Sequence, residues 1–170
     1  VSTVKSNLVE AYETSVSNHE EALEICLGHL REKINLQDIN VVGHRVVHGG
    51  ETYTRPTVLK DETIAALEKL SHLAPLHNPA NVQGIHAAQR LLPEARHVAV
   101  FDTAFHATLP AKAFLYGLPR EFYKQGIRKY GFHGSSHDYV TRKAAEILGQ
   151  AREELKIISL HLGNGASSAA

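Results

Sequence analysis

The stretch "INVVGHRVVHGG", residues 39–50, is the part of the sequence that decides the fold. Its first half is an apolar run in which Ile39, Val41 and Val42 are β-branched, and Gly49 and Gly50 close the stretch. β-Branched residues favour extended backbone and paired glycines mark turns, so the stretch predicts a strand followed by a turn. A buried strand of this kind needs packing partners from the rest of the chain.

Helical patterns and apolar strands alternate along the remaining sequence. Helices are predicted over residues 19–34, 61–72, 79–91 and 136–148, and short helical turns over 110–125. Further strands are predicted in "HVAVF", residues 97–101, and in "KIISLHL", residues 156–162, which a glycine turn follows. The alternation predicts an α/β architecture with strands buried on both faces, and a boundary between two lobes near residues 102–110.

Composition argues against several classes of function. Eighteen basic and eighteen acidic residues cancel, so charge gives no reason to expect binding to nucleic acid or to an anionic membrane. No apolar run approaches the roughly 20 residues of a membrane span, and no signal peptide is recognisable, so we expect a cytoplasmic enzyme. The single cysteine, Cys26, precludes an intrachain disulfide and is expected to be a buried thiol on the apolar face of the first helix.

Histidines gather where a ligand site is expected. Seven of the twelve lie in short motifs at strand ends or in Gly/Pro turns: His44, His48, His77, His106, His133, His137 and His161. In open α/β sheets, ligands bind beyond the carboxyl ends of the strands. The motifs therefore predict a site before any chemistry is assigned to it.

Arg45 and Val47 are predicted to share one face of the first strand, because alternate residues of a strand point the same way. A guanidinium beside a small apolar wall suits a short carboxylic acid, whose charge pairs with the arginine and whose tail contacts the valine. The alternative is that Arg45 is a partner in a structural ion pair.

Asp102 directly follows the second apolar strand. A carboxylate at such a strand end can hold a hydrated Mg²⁺ or orient a nucleophile, although aspartate is also common in turns and helix caps.

The loop "GFHGSSH", residues 131–137, has glycines on both sides of His133. Its imidazole can donate to a phosphoryl oxygen, and Ser135 or Ser136 is expected to cap a helix whose N-terminus favours anions. His137 is expected to hold the loop in shape by bonding nearby backbone.

The stretch "HLGNG", residues 161–165, admits two interpretations. It is either a turn whose N–H groups cradle phosphate or a type I′ hairpin.

Two other classes of site are weaker. "HRVVH" and "HGSSH" each place two histidines four residues apart, a zinc spacing in helices, but one lies in a strand and the other crosses a glycine loop. Neither includes the glutamate of a hydrolytic zinc motif. A serine hydrolase is disfavoured because the G-x-S-x-G elbow is missing.

Taken together, "GHRVVHGGE", "LAPLHNP", "VAVFDTAFH", "KYGFHGSSH" and "LHLGNGAS" resemble, in order and spacing, the acetate kinase family from about residue 36 to the end. The first 35 residues resemble it only loosely. The implied fold is α/β, with portions of two ribonuclease-H-like lobes of the actin and hexokinase type around a cleft. Residues 1–104 would be part of an acyl-binding lobe, and residues 105–170 would begin a nucleotide-side lobe.

The resemblance implies reversible phosphoryl transfer between ATP and acetate, giving ADP and acetyl phosphate with Mg²⁺, in a cytoplasmic homodimer. Catalytic roles are implied for Arg45, Asp102 and His133, with Asp102 tied to Mg²⁺. Arg45, Val47, Leu76 and Phe132 would bind the substrate, and His161, Gly163, Asn164 and Gly165 would bind the nucleotide phosphates. The "GFHGSSH" loop would grip the phosphoryl group in transfer.

Departures from the family keep alternatives open. Ser135 stands where the family usually has threonine, which retains the hydroxyl. Family elements before Val1 and after Ala170 are absent from the sequence, so the 170-residue chain is expected to be inactive by itself. A propionate or other short-chain carboxylate kinase is one alternative, although such enzymes tend to have a smaller residue than Val47. A non-catalytic domain that keeps the fold is the other.

Overall fold

The structure, a computed structural model, describes residues 15–170, so residues 1–14 of the predicted first lobe lie outside the described residues. The helices are α1 His19–Arg31, α2 Asp61–Lys69, α3 Asn78–Leu91, α4 Ala111–Phe114, α5 Arg120–Lys124 and α6 Gly134–Leu148. The strands are β1 Val41–Val46, β2 Thr57–Val58, β3 Arg96–Phe101, β4 Ser159–Leu162 and β5 Ala166–Ala169. Short 3₁₀ turns cover Leu36–Asp38, Leu70–Leu73, Ala104–Thr108 and Arg152–Glu154.

The larger sheet has the strand order β1-β3-β2. β1 and β3 are parallel, and their register pairs Val46 with Phe101, so both strands end at the same edge of the sheet. β2 is two residues long and runs antiparallel to β3. A strand this short has no periodic pattern, so the sequence did not predict it. The α/β class predicted from the alternation is confirmed.

The main core lies between this sheet and the helices α2 and α3. Its buried members are Val46, Leu59, Ile64, Leu67, Val82, Ile85, Ala99 and Phe101. A second cluster, of Leu27, Leu92 and Ala95, joins α1 to the end of α3. Each fully buried aliphatic side chain contributes about 1.5–3 kcal/mol through loss of apolar surface from water.

The prediction that strands are buried on both faces is wrong for β1. Val42 packs with the second cluster and Val46 with the main core, whereas Val41 on the opposite face is 58% exposed and Arg45 is exposed as well. The packed helices lie on one face of β1 among the described residues, so the strand alternates between core and solvent.

Two further predictions about α1 need correction. Cys26 is exposed, because the neighbouring Leu27 is the residue that α1 buries and each helical step rotates the side chain by about 100°. The helix also ends at Arg31 rather than at residue 34. None of the described helices is long and apolar enough to cross a bilayer.

The smaller sheet is a β4–β5 hairpin against which α6 packs. Its register pairs Leu162 with Ala166, which leaves a three-residue turn, residues 163–165. The hairpin alternative for this motif is therefore the observed structure. It is not type I′, which requires positive φ angles that these three residues do not have.

Candidate functional site

A cavity of about 1800 Å³ lies between the end of the larger sheet, the start of α6 and the β4–β5 hairpin. Nine of the ten residues singled out from the sequence line it: Arg45, Val47, Leu76, Asp102, Phe132, His133, His161, Asn164 and Gly165. Gly163 is not among the lining residues and sits in the hairpin turn. Leu76 is 85% exposed, so it borders the cavity from the open side.

Arg45 and Asp102 meet because β1 and β3 end together. The Arg45 Nε donates to Asp102 Oδ1 at 2.9 Å, and Nη2 donates to Oδ2 at 2.8 Å. The aspartate side chain is 2% exposed and the arginine side chain 60%. The hydrogen bond to Asp102 raises the pKa of Arg45. Two of the five guanidinium N–H donors are used here, and three remain for another partner.

The turn after β1 is held by two asparagines of α3. The Asn78 side chain accepts from the N–H of His48 at 3.1 Å and donates to its carbonyl at 3.0 Å. Asn81 accepts from the N–H of Val47 at 3.1 Å. Asn78 is fully buried, so its two bonds form where water does not compete. Together the bonds of both asparagines fix the backbone of Val47 and His48, directly after β1, relative to the helix.

His133 precedes α6 in the left-handed conformation, with φ 57° and ψ 27°. The Gly134 N–H donates to the Asp102 carbonyl at 2.9 Å, and a Cβ on Gly134 would lie 2.3 Å from that oxygen. Only glycine permits this approach, which couples the start of α6 to the end of β3. It also means that the Gly134 N–H is not available to an anion.

The predicted serine cap of α6 is wrong. The helix begins two residues earlier than expected, with His133 at the capping position and no side-chain capping bond. Ser135 and Ser136 therefore lie within the first turn, where the Ser136 hydroxyl bonds His161 Nδ1 at 3.0 Å.

The prediction that His137 bonds nearby backbone is also wrong. Its ring bonds two serines of the hairpin: Nδ1 lies 2.8 Å from Ser159 Oγ, and Nε2 lies 2.8 Å from Ser167 Oγ. Ser167 Oγ also lies 2.9 Å from His133 Nδ1. The first turn of α6 is thus tied to β4 and β5 by side chains rather than to its own loop.

The His133 and His161 rings stack, with centroids 4.1 Å apart and an interplanar angle of 18°. The pKa of His133 is lowered by desolvation and by nearby histidines, chiefly His161. The pKa of His137, which is 1% exposed, is lowered by burial and by its histidine neighbours. Both rings are therefore neutral at pH 7 and serve as hydrogen-bonding groups rather than as cations.

Within residues 15–170 no group of three or more His, Cys, Asp or Glu side chains is arranged to hold a metal ion. His44 and His48, one of the two pairs with a zinc-like spacing, contact other side chains instead of each other. His44 Nε2 bonds His97 Nδ1 at 2.9 Å, and the His48 ring packs edge-on against Tyr130.

Four contributors to the site were missed from the sequence: Asn78, Asn81, Ser159 and Ser167. For the serines a signal existed. Ser159 and His161 alternate on β4, and the hairpin register places Ser167 opposite His161. The Asn81 contact had no comparable local signal, because it depends on how α3 docks against β1.

Comparisons with known proteins add an independent result. The acetokinase family model matches residues 1–170. Over 159 residues the chain is 57% identical to an acetate kinase of Staphylococcus epidermidis, covering 91% of this chain and 38% of that one. It is 56% identical over 164 residues to an acetate kinase of Thermotoga maritima, covering 93% and 41%. The chain thus spans about two-fifths of the length of these curated relatives.

Solved structures give the same picture. A crystal structure of Porphyromonas gingivalis acetate kinase superposes with a TM-score of 0.83 at 45% identity, covering 91% of this chain and 40% of that one. A propionate kinase from Francisella tularensis superposes with a TM-score of 0.82 at 42% identity, covering 89% and 39%. This likeness confirms the predicted α/β fold of the actin and hexokinase type.

Proposed function

The chain belongs to the acetokinase family, and from this premise we propose that it is part of an acetate kinase. The reaction is reversible transfer of the terminal phosphoryl group of ATP to acetate, giving ADP and acetyl phosphate. The observation that carries the proposal is the cavity, where an arginine, an apolar wall and a histidine donor stand together. The carboxyl group as acceptor and the whole enzyme's activity are parts of this proposal.

Arg45 binds the acetate carboxylate. Asp102 holds the guanidinium from one side through two hydrogen bonds, so the remaining donors are pre-oriented rather than free to rotate. Charge-assisted, two-pronged contacts are the strongest class of hydrogen bond that a carboxylate can receive. Val47, Leu76 and Phe132 border the same cavity and enclose the methyl group.

His133 stabilises the phosphoryl group during transfer. Charge spreads over the three equatorial oxygens of this group, so catalysis depends on positioned donors more than on covalent chemistry. The His133 ring lines the cavity and is held between Ser167 and the stacked His161. Arg45 contributes the positive charge beside this neutral donor and also brings the two reactants to the same point.

The β4–β5 turn is proposed to face the nucleotide. His161, Asn164 and Gly165 line the cavity, and Gly163 shapes the turn behind them. A Cβ added to Gly165 would lie 3.3 Å from the His133 ring, so the turn and the histidine are in close contact. ATP phosphates held by this turn would therefore reach the imidazole.

Asp102 is the residue proposed to interact with Mg²⁺. Magnesium keeps several waters and is usually bound by one or two carboxylates together with substrate phosphates. Each Asp102 oxygen already accepts from Arg45 but keeps a second lone pair, which fits contact through the ion's water shell. When bound, the ion would neutralise phosphate charge.

Three further proposals rest on the family and await direct tests. Residues 1–104 belong to an acyl-binding lobe and residues 105–170 begin a nucleotide-side lobe. The complete enzyme is a homodimer, and it works in the cytoplasm.

The deciding experiment is a Mg-ATP assay of the complete enzyme with acetate and with propionate. We expect a higher kcat/KM for acetate. The likeness to a propionate kinase makes propionate the second candidate substrate. Val47→Ala leaves room for one more methylene, so it is expected to reduce the ratio of kcat/KM for acetate to kcat/KM for propionate. One methylene is worth about 1–3 kcal/mol in such a pocket. Absence of carboxylate-dependent ADP formation would overturn the proposal.

The 170-residue chain, assayed in parallel, is expected to be inactive. Detectable acetyl phosphate synthesis by that chain would show that the 170 residues contain a complete site.

A further inference from the structure

We propose that Ser167 is a positioning residue that sets the tautomer of His133. It acts as the bridge in a hydrogen-bonded chain, Ser159–His137–Ser167–His133. This inference rests on the proposed function, because it concerns how His133 presents a donor to the phosphoryl group.

The chain is continuous and short. Ser159 Oγ lies 2.8 Å from His137 Nδ1, His137 Nε2 lies 2.8 Å from Ser167 Oγ, and Ser167 Oγ lies 2.9 Å from His133 Nδ1. Ser159 is 3% exposed and His137 is 1% exposed, so water does not substitute for either partner. Every contact falls in the distance range of a good hydrogen bond.

Among the described residues Ser167 Oγ bonds only the two imidazoles, so its single proton goes to one of them and two arrangements remain. A neutral imidazole donates from one nitrogen and accepts at the other, and a serine hydroxyl has one proton to give. In the first arrangement each group donates toward His133: Ser159 to His137, His137 to Ser167, and Ser167 to His133 Nδ1. In the second the direction is reversed throughout, and His133 donates from Nδ1.

The position of the Ser159 proton favours the first arrangement. In the reversed arrangement this proton has only the Ala169 carbonyl as partner, at 3.5 Å, which is the outer limit of a hydrogen bond. In the first it goes to His137 Nδ1 at 2.8 Å. Leaving a buried donor poorly bonded costs more than leaving a hydroxyl lone pair unused, so the chain points toward His133.

The consequence is a fixed donor at the cavity. With Nδ1 accepting from Ser167, the single proton of the neutral His133 ring is on Nε2. A Cβ on Gly165 would lie 3.3 Å from Nε2 and from Cε1, so this edge of the ring faces the hairpin turn proposed to hold phosphates. His133 can then donate to a phosphoryl oxygen without first taking up a proton.

The test is nitrogen NMR of the complete enzyme with ¹⁵N-labelled histidine rings, the His133 signals being assigned with His133→Asn. We expect a single tautomer protonated on Nε2 in the wild type. Ser167→Ala should produce a mixture of tautomers at His133 and lower kcat by about tenfold with little change in KM for acetate. Ser167→Thr, which keeps the hydroxyl, should restore both properties.

Ser168→Ala is the matched control for the tautomer, because Ser168 is the adjacent residue of β5, is exposed and alternates with Ser167 along the strand. It should leave the His133 tautomer unchanged; its rate is not used as a control, because Ser168 also borders the cavity. A wild-type ring protonated on Nδ1 would overturn the proposal even if Ser167→Ala failed to fold. So would a Ser167→Ala enzyme with wild-type kcat and tautomer. The NMR spectrum does not depend on turnover. An enzyme inactive on acetate would therefore contradict the proposed function, and the spectrum would still show which nitrogen of His133 carries the proton.

Discussion

Arg45 and Asp102, which are 57 positions apart in the sequence, form a two-pronged ion pair at the shared end of β1 and β3. The pair is asymmetric, since the carboxylate is buried and the guanidinium is largely exposed. The ion pair that the sequence offered as one interpretation of Arg45 is observed, and binding of a carboxylate by the same side chain stays a prediction. The Arg45 guanidinium bonds Asp102 through Nε and Nη2, and its remaining N–H donors face away from the aspartate.

This asymmetry predicts unequal effects on stability. Arg45→Ala leaves a buried carboxylate without its cation and should lower the free energy of unfolding by about 2–4 kcal/mol, somewhat less than for a fully buried pair because the arginine side is open to water. Asp102→Asn leaves only a solvated guanidinium and should cost about 1 kcal/mol. Urea denaturation of both variants measures the difference, and equal losses would contradict the prediction. Both should be almost inactive.

His133 should be replaceable for folding but not for catalysis. His133→Asn and His133→Ala both remove the imidazole donor and should lower kcat by about 10²–10³. Asparagine tolerates the left-handed conformation at this position better than alanine, so the alanine variant should have the lower melting temperature. A kcat within threefold of wild type in either variant would exclude a role for the ring in transfer.

Two glycine-to-alanine changes should act in opposite directions. Gly134→Ala places a Cβ 2.3 Å from the Asp102 carbonyl and should destabilise the fold by about 3 kcal/mol. Gly84→Ala, in the middle of α3, meets nothing within 4 Å and should stabilise it by about 0.5–1 kcal/mol through helix propensity. Thermal unfolding of the two variants tests the close approach, and a harmless Gly134→Ala would refute it.

Stability should fall as the pH is lowered from about 6.5 to 4. Burial, with a smaller contribution from His97, lowers the pKa of His44 to about 4, whereas the unfolded chain titrates near 6.5. In this window the unfolded state binds the proton and the folded state does not, so acid favours unfolding. Because His44 is partly exposed and solvent weakens the effect, the expected loss in the free energy of unfolding is about 1–3 kcal/mol.

His44→Gln is the matched variant for this effect, because an amide can still donate to His97 but does not titrate in this range. Chemical denaturation at several pH values should show a flatter stability profile for the glutamine variant. Residual slope is expected, since burial also lowers the pKa values of His48, His133 and His137. Identical profiles for the two proteins would contradict the prediction.

Local patterns in the sequence were enough for the elements that hold the site. The strand at residues 39–46, the helix α3 that begins near Pro79 and the strand before Asp102 were all predicted, because β-branched runs, helical spacing and proline indicate where elements form. The glycines on both sides of His133 were noted, but the close approach of Gly134 to the Asp102 carbonyl was not predicted. The five motifs together identified the family, which the family model confirms.

Tertiary structure alone decided which side chains meet. Alternation along β4 and the hairpin register indicate that Ser159, His161 and Ser167 share a face, but no local pattern brings that face against His133 and His137, which lie 34 and 30 positions from Ser167. Cys26 is exposed because α1 buries Leu27 instead. Neither Ser135 nor Ser136 caps α6, because the helix begins at Gly134, whose N–H donates to the Asp102 carbonyl. In each case local preference is worth about 1 kcal/mol, and a packing or hydrogen-bonding contact from a distant part of the chain outweighs it.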